Sequence, residues 1–262
     1  MNSLVDGNAV VPVHSTVPVN SPDVLHPVNA ARLFDAQAIV DINWERLIDR
    51  RPVALKQHPE LPKYLLLPEI ESVLAATLDD SHYLMLDVLW HTGARVSEML
   101  ALTPEHFDFQ YEEVSLETLK QKKVGRPKKV NARALQRVVP TPDPEFLERV
   151  KRFIVTHRPG QKDRLFPVTP QTVQNRIDKW TADLELPFRP TPHTFRHSFA
   201  VNQILHFVPV NIVQAWLGHK NIESTVIYTK VLNTETGHFM RHVQYRRQTL
   251  GAPATPALED AQ

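Results

Sequence analysis

The chain has 262 residues, 42% of them hydrophobic and 23% charged, so it can form one large domain with a packed core. It contains no cysteine, which excludes disulfide bonds and thiolate-bound metals. Since no apolar run reaches about 18 residues and no charged start leads into an apolar stretch, we expect neither a membrane span nor a secretory signal.

The first 62 residues are predicted to form an irregular arm with one short helix. Residues 1–30 are rich in Val, Pro, Asn and Ser and keep neither a helical nor a strand period. Apolar side chains within residues 31–50 are spaced as in a short helix. Three prolines are then expected to interrupt the chain: Pro52, Pro59 and Pro62.

From Leu67 onward the pattern predicts a mainly α fold with a small antiparallel β-sheet, the α+β class. Apolar residues recur at helical spacing near residues 68–78, 84–93, 95–101, 146–154, 173–180, from 192 onward, and 212–217. Gly93 and Gly218 suit helix C-termini because glycine adopts the left-handed conformation readily. The segments 114–119 and 137–140 are predicted to pair as strands.

The basic residues are concentrated in the second half of the chain, although the formal net charge is only +1. Residues 1–50 hold six acidic side chains against three of Lys and Arg. Residues 118–142 hold eight Lys and Arg and no acid, and residues 189–250 hold seven Lys and Arg and two acids. A locally basic surface is what binding to a polyanion requires.

The segment TPHTFRHSFA, residues 191–200, places several chemically active side chains on one predicted helix. His193 and His197 are four apart, the spacing of a zinc-binding pair. A zinc protease would need Glu directly after the first histidine, where Thr194 stands. Stray candidates for a third zinc ligand are His82, His91 and His106. His193 and Arg196 are three apart, which also puts them on one helix face and suits a phosphate.

Four short segments carry a more specific pattern. They are HTGARVSEML, HTFRH, WLGHKN and ESTVIYTKV, at residues 91–100, 193–197, 216–221 and 223–231. Together they resemble the tyrosine recombinases, also called the phage integrase family, over residues 63–246. The family order is Arg, Lys, His-x-x-Arg, then His or Trp, then Tyr. Each fragment alone is weak evidence, but all four in this order are highly specific.

The resemblance implies a catalytic set formed by Arg95, Lys120, His193, Arg196, His219 and Tyr228. Arg95 and Arg196 would be permanently charged, planar donors that stabilise the extra charge of a pentacoordinate phosphate. Tyr228 would attack phosphorus, with His193 taking its proton, and His219 would donate to a non-bridging oxygen. Two residues are expected to support this set: Glu98, which would hold Arg95 or His193 in place, and His197.

The general acid for the leaving 5′ oxygen is expected to be a lysine near the turn of the small sheet. The segment SLETLKQ resembles the family strand that carries it, which favours Lys120. The sequence KKVGRPKKVNARALQ then makes the hairpin longer and more basic than usual, so four alternatives stay open: Lys122, Lys123, Lys128 and Lys129. Because KKVGRPKK is similar to an AT-hook, Arg126 and these lysines are expected to contact DNA, Arg126 in the minor groove.

The resemblance implies a site-specific DNA recombinase that cuts and rejoins DNA through a 3′-phosphotyrosyl intermediate and a Holliday junction. Every step is a transesterification, so no cofactor and no metal is expected. The partners implied are a double-stranded recombination site, a homotetramer on DNA, and accessory DNA-bending proteins. The expected location is the cytoplasm, with the bacterial nucleoid or a plasmid. The alternatives are DNA inversion or integration, a relaxing topoisomerase, a non-catalytic DNA-binding regulator and a metal-dependent hydrolase.

The predicted organisation has three parts. Residues 1–62 are an arm that could form a reduced DNA-contacting segment, in place of the full-length N-terminal core-binding domain typical of the family. Residues 63–246 are the catalytic domain, ending in a short helix that packs on its own or a neighbouring subunit. Residues 247–262 are a flexible tail. The short segment before the catalytic domain favours a plasmid multimer resolvase.

Overall fold

The structure is a computed structural model that describes residues 42–118 and 135–234. The helices are α1 Trp44–Gln57, α2 Leu67–Ala76, α3 Asp80–Thr92, α4 Val96–Met99, α5 Pro144–His157, α6 Pro170–Thr181, α7 Pro192–Leu205, α8 Val210–Leu217 and α9 Glu223–Val226. Short 3-10 segments span Pro104–His106 and Ile227–Thr234. The strands are β1 Phe107–Asp108, β2 Glu113–Thr118 and β3 Leu135–Pro140. These elements confirm the predicted fold class.

Helix boundaries follow simple local signals. Asp143, Thr169 and Thr191 each stand just before a proline that opens a helix, and each accepts a hydrogen bond from a backbone N–H of the first turn. Gly93 and Gly218 end α3 and α8 with φ angles of 58° and 66°, as the sequence predicts. These caps decide where the side chains beside them lie.

The sheet is antiparallel in the order β1-β2-β3. Val114 pairs with Val139, and Leu116 pairs with Arg137. Since alternate residues of a strand share one face, Arg137 lies on the same face as the buried Val139. The predicted pair of strands is therefore observed. The two-residue β1 is too short to show a period in the sequence.

The prediction that Pro52 interrupts the chain is wrong, because Pro52 lies inside α1. A proline there lacks the N–H for an intrahelical bond, at a cost of about 3 kcal/mol. Tertiary contacts offset that cost: Leu47 and Ala54 are buried, and Arg51 forms a bidentate ion pair with Glu69 of α2. Helix α1 also packs against the segment Ile227–Thr234.

Helix α7 lies at the centre of the described fold. It packs against α3, α8 and the segment Ile227–Thr234. Phe195 and Phe199 of α7 are buried, and α3 comes so close that a Cβ on Gly93 would lie 2.4 Å from Cδ1 of Phe199. Gly93 is thus required both by its backbone angle and by this contact.

Several predicted features lie outside the described residues. They are the arm of residues 1–30, most of the short helix within 31–50, the final short helix beyond Leu232, and the tail 247–262. Within the ranges that the structure describes, no helix is both long and apolar enough to cross a membrane.

Candidate active site

Arg196 joins the ends of two helices. Its side chain is buried on α7 and donates to the carbonyl oxygen of Gly93 at 2.7 Å and to that of Leu217 at 2.6 Å. These carbonyls belong to the C-terminal stops of α3 and α8. Burial lowers the pKa of Arg196 to about 10, and the charges of Arg95 and Arg137 add to this effect. Arg196 therefore stays protonated at neutral pH.

Arg95 lies immediately before α4 and is held by Glu98. Its Nη1 atom lies 2.8 Å from Oε1 of Glu98, and its backbone N–H donates to Oε2 at 2.8 Å. The Glu98 side chain is 1% exposed, whereas that of Arg95 is 35% exposed and can reach a bound anion. This contact is one of the two that the sequence suggested for Glu98.

Arg137 is a member of the site that the sequence analysis missed. From β3, its Nη1 and Nη2 atoms donate to the two carboxylate oxygens of Glu98 at 2.9 and 2.6 Å. Burial alone would raise the pKa of Glu98, but hydrogen bonds from Arg137 and Arg95 lower it below its usual range. The signal in the sequence was a basic residue at an inward position of the predicted strand 137–140.

His219 follows the glycine that ends α8. Its Nδ1 atom lies 2.9 Å from Oγ1 of the buried Thr225, and its backbone N–H donates to the carbonyl oxygen of Gln214. Burial lowers the pKa of His219 to about 4, and the nearby Arg196 and Arg95 contribute to this shift. The ring is therefore neutral at pH 7. If Thr225 donates to Nδ1, the Nε2 atom carries the proton and can donate to a ligand.

Tyr228 is buried, with 1% of its surface exposed. Its hydroxyl oxygen lies 2.8 Å from Nδ1 of His197. Burial raises the pKa of Tyr228 to about 12, although Arg196 acts in the opposite direction. Burial also lowers the pKa of His197 to about 4, helped by His193 and Arg196. Both partners are thus neutral, and they share one ordinary hydrogen bond.

The histidine on the Tyr228 hydroxyl differs from the one expected. The family resemblance implied that His193 takes the Tyr228 proton and that His197 has a supporting place. In the structure His197 makes the contact, while His193 is exposed at the start of α7, with its ring centre 6.4 Å from that of His197. A four-residue spacing on α7 therefore brings both rings toward the same site.

The charges at this site do not balance. Three guanidinium groups, those of Arg95, Arg137 and Arg196, surround the single carboxylate of Glu98 in the described part of the site. His197 and His219 are neutral at pH 7 because their pKa values are lowered to about 4. The excess positive charge favours an anion such as a phosphodiester.

The remaining candidates from the sequence are the basic residues near the turn of the sheet and the histidines considered as zinc ligands. Lys120, Lys122, Lys123, Arg126, Lys128 and Lys129 lie outside the described residues. Over residues 42–118 and 135–234, no group of three or more His, Asp or Glu side chains is arranged to hold a metal ion. The three stray histidines have other partners: His82 pairs with Asp79, His91 with Asp87 and Asp143, and His106 with Thr103.

Comparison with known proteins decides the family. The sequence model of the phage integrase family matches residues 63–235, more than half of the chain. The chain belongs to the phage integrase family. It is a tyrosine-type site-specific recombinase, as the motifs predicted.

Curated relatives of this recombinase align with most of its length. A resolvase from Escherichia coli is 35% identical over 228 residues, which are 78% of this chain and 86% of the relative. A tyrosine recombinase from Pseudothermotoga lettingae is 30% identical over 83% of this chain and 73% of the relative. The crystal structure of XerA recombinase has the same fold, with a TM-score of 0.56 and 21% identity over 86% of this chain and 87% of that one.

Proposed function

We propose that this recombinase breaks and rejoins DNA through a covalent bond between Tyr228 and a 3′ phosphate. The observation that supports this most directly is the position of Tyr228. Its hydroxyl group is hydrogen-bonded to His197 and lies near the buried Arg196. The phenolic oxygen attacks phosphorus, its proton passes to a histidine, and the 5′ oxygen of the next nucleotide leaves. Attack by a 5′ hydroxyl of a second strand reverses these steps and gives a Holliday junction.

The arginines are proposed to supply the electrostatic part of catalysis. Arg95 is partly exposed and can contact a non-bridging phosphate oxygen, while Arg196 adds a second, buried positive charge. Fixed cations stabilise the charge that develops on the phosphate, and losing one such donor typically lowers a rate by about 10²–10³. The neutral ring of His219, held through Nδ1 by Thr225, donates from Nε2 to the same phosphate.

Two histidines are proposed to share the handling of the Tyr228 proton. His197 accepts the hydroxyl hydrogen bond and orients the nucleophile. His193 is exposed at the same end of α7, where it can meet the DNA phosphate and take up the proton. A lysine of the segment after β2, with Lys120 preferred, is proposed to protonate the leaving 5′ oxygen.

The biological role is proposed to be the resolution of plasmid multimers by a homotetramer at a double-stranded recombination site. A relative named resolvase that matches most of the chain supports this role over inversion or integration, which would use the same chemistry. Residues 63–246 form the catalytic domain in this proposal. Accessory DNA-bending proteins help residues 1–62 to bind the DNA. The protein would then act in the cytoplasm, on plasmid DNA.

Covalent trapping tests the proposal. A DNA site is first selected from plasmid fragments that the protein binds, and is then nicked near the crossover so that cleavage cannot be reversed. In EDTA the wild type is expected to form a 3′-linked adduct, and Tyr228→Phe none. Tyr64→Phe is the matched control, since Tyr64 is another buried tyrosine with a pKa raised to about 12. A wild type that binds the site but forms no adduct would identify a non-catalytic regulator.

A further inference from the structure

Arg137 is buried on the inner face of β3, where its neighbours in the sheet are apolar. It pairs across the sheet with Leu116, and Val139 lies on the same face. An arginine at such a position loses much of its hydration, so the fold must provide hydrogen bonds in return. The side chain is used fully, because each of its three nitrogen atoms donates a hydrogen bond to a neighbouring segment.

The acceptors of Arg137 belong to two different segments of the site. Nη1 and Nη2 hold both oxygens of Glu98, which in turn holds the guanidinium and the backbone N–H of Arg95. Nε donates to the carbonyl oxygen of Trp216 at 2.6 Å. Arg137 therefore connects α4, which carries Glu98, with the last turn of α8.

The end of α8 is held by two guanidinium groups on consecutive carbonyls. Arg137 binds the carbonyl of Trp216, and Arg196 binds that of Leu217. Gly218 follows, and a Cβ on it would lie only 3.1 Å from Cδ of Arg137. Since His219 comes directly after this turn, the two arginines fix the direction in which its ring leaves the helix.

The fold alone does not explain this arrangement. Buried ion pairs contribute little net stability compared with apolar side chains of similar size, although removing one partner leaves a costly buried charge. Val and Leu side chains already fill the adjacent positions of the sheet. A bidentate guanidinium, in contrast, gives a fixed geometry that lysine cannot reproduce. The bidentate geometry of Arg137 is therefore best explained by a need to fix the positions of the groups that it binds.

We infer that Arg137 is a positioning residue of the recombinase, which orients Arg95 through Glu98 and His219 through the end of α8 so that both meet the scissile phosphate. This inference rests on the proposed function of these residues. Arg137 itself does not need to touch the DNA. Misplacing a catalytic group by about 1 Å can lower a rate by about 10²-fold, so we expect a loss of that size without Arg137.

The experiment compares Arg137→Met and Arg137→Lys with the wild type on the nicked substrate. The matched control is Arg149→Met, because Arg149 forms a comparable bond to the buried Asp87 away from the site. Thermal unfolding and DNA affinity are measured beside the rate of adduct formation. Both Arg137 variants are expected to stay folded and to bind DNA within about threefold of the wild type, while the adduct forms about 10²-fold more slowly with Met and at least tenfold more slowly with Lys.

A second substrate distinguishes positioning from a general structural effect. A methylphosphonate at the scissile position carries one negative charge less, so its reaction depends less on well-placed cations. On this substrate the rate defect of the Arg137 variants is expected to shrink by about tenfold or more, because the lost term is charge stabilisation. The rate of Arg149→Met should match that of the wild type on both substrates.

The outcomes separate the inference from the proposed function. If the wild type forms no adduct, the proposed function fails. If the wild type reacts and the Arg137 variants react equally fast, or show the same defect on both substrates, the inference about Arg137 alone is overturned. Unfolding of both Arg137 variants would also overturn it, since the residue would then be needed for the fold.

Discussion

The Nδ1 atom of His197 lies 2.8 Å from the hydroxyl oxygen of Tyr228, and both side chains are neutral at pH 7. The bond connects α7 with the segment Ile227–Thr234, which packs against it. In this state the phenolic oxygen is buried and its pKa is raised to about 12, so it is protonated. Under the proposed mechanism, cleavage therefore requires both a proton acceptor and the approach of a phosphate.

The first prediction concerns the strength of this bond. A neutral hydrogen bond contributes about 1 kcal/mol to stability, so a double-mutant cycle of His197→Leu and Tyr228→Phe should give a coupling energy near that value. The measurement is the free energy of unfolding in urea for the wild type, both single variants and the double variant. Additive effects of the two substitutions would contradict the contact.

The second prediction is that lowering the pH destabilises the protein through two partly buried histidines. His197 and His219 have pKa values lowered to about 4, whereas in the unfolded chain each takes up a proton near pH 6.5. Between these values the unfolded state binds more protons, so the free energy of unfolding falls as the pH is lowered.

Variants can assign this slope to individual rings. In urea unfolding at pH 7, 6 and 5, His219→Gln should flatten the decline. His206→Gln, at an exposed position at the end of α7, should leave it unchanged. His91 acts in the opposite sense: burial alone would lower its pKa, but Asp87 and Asp143 raise it. Its contribution is present at low pH and is lost as the pH rises, so His91→Gln should steepen the decline.

The third prediction concerns Thr225 and the tautomer of His219. Thr225→Val removes the hydroxyl group that lies 2.9 Å from Nδ1 and is expected to slow adduct formation about tenfold. Thr225→Ser should restore the rate because it keeps the hydroxyl. Nitrogen chemical shifts of the imidazole would report the tautomer. A Val variant with the wild-type rate and an unchanged Nε2–H signal would rule out this role.

The fourth prediction concerns Gly93, whose φ is 58° and whose carbonyl oxygen accepts from Arg196. A Cβ there would lie 2.4 Å from Cδ1 of Phe199, so Gly93→Ala combines backbone strain with overpacking. We expect a loss of roughly 3 kcal/mol in the free energy of unfolding. Gly160→Ala is the control, since Gly160 lies in an exposed loop and an added Cβ would meet only the side chain of Asp163. Equal stability of both variants would contradict the prediction.

The short motifs of the sequence indicated residues that the fold brings together. They could do so because each motif lies on a helix or at its end, where spacing in the chain determines which side chains share a face. Arg95 and Tyr228 are close enough to Arg196 to influence its pKa, and the charges of Arg196 and Arg95 help to lower the pKa of His219. The helix stops at the two glycines followed from local backbone chemistry. The position of Lys120 stays a prediction, as it lies outside the described residues.

The features that sequence reasoning missed depend on long-range packing. Arg137 finds Glu98 and Trp216 far away in the chain, so no local spacing indicates either contact. The bond between His197 and Tyr228 depends on how α7 meets a segment from a distant part of the chain. Helix α1 continues through Pro52 because its buried side chains outweigh the local preference for a break.

The register of the sheet sets the position from which Arg137 reaches Glu98. Thr118 pairs directly with Leu135, so the chain leaves β2 and re-enters β3 at adjacent positions. Arg137 lies two residues further along β3, on the face that carries the buried Val139. A slip of one residue in the pairing of β2 with β3 would turn its side chain to the opposite face, because successive residues of a strand point to opposite faces. The backbone pairing of this small sheet is therefore a condition for the ion pair between Arg137 and Glu98.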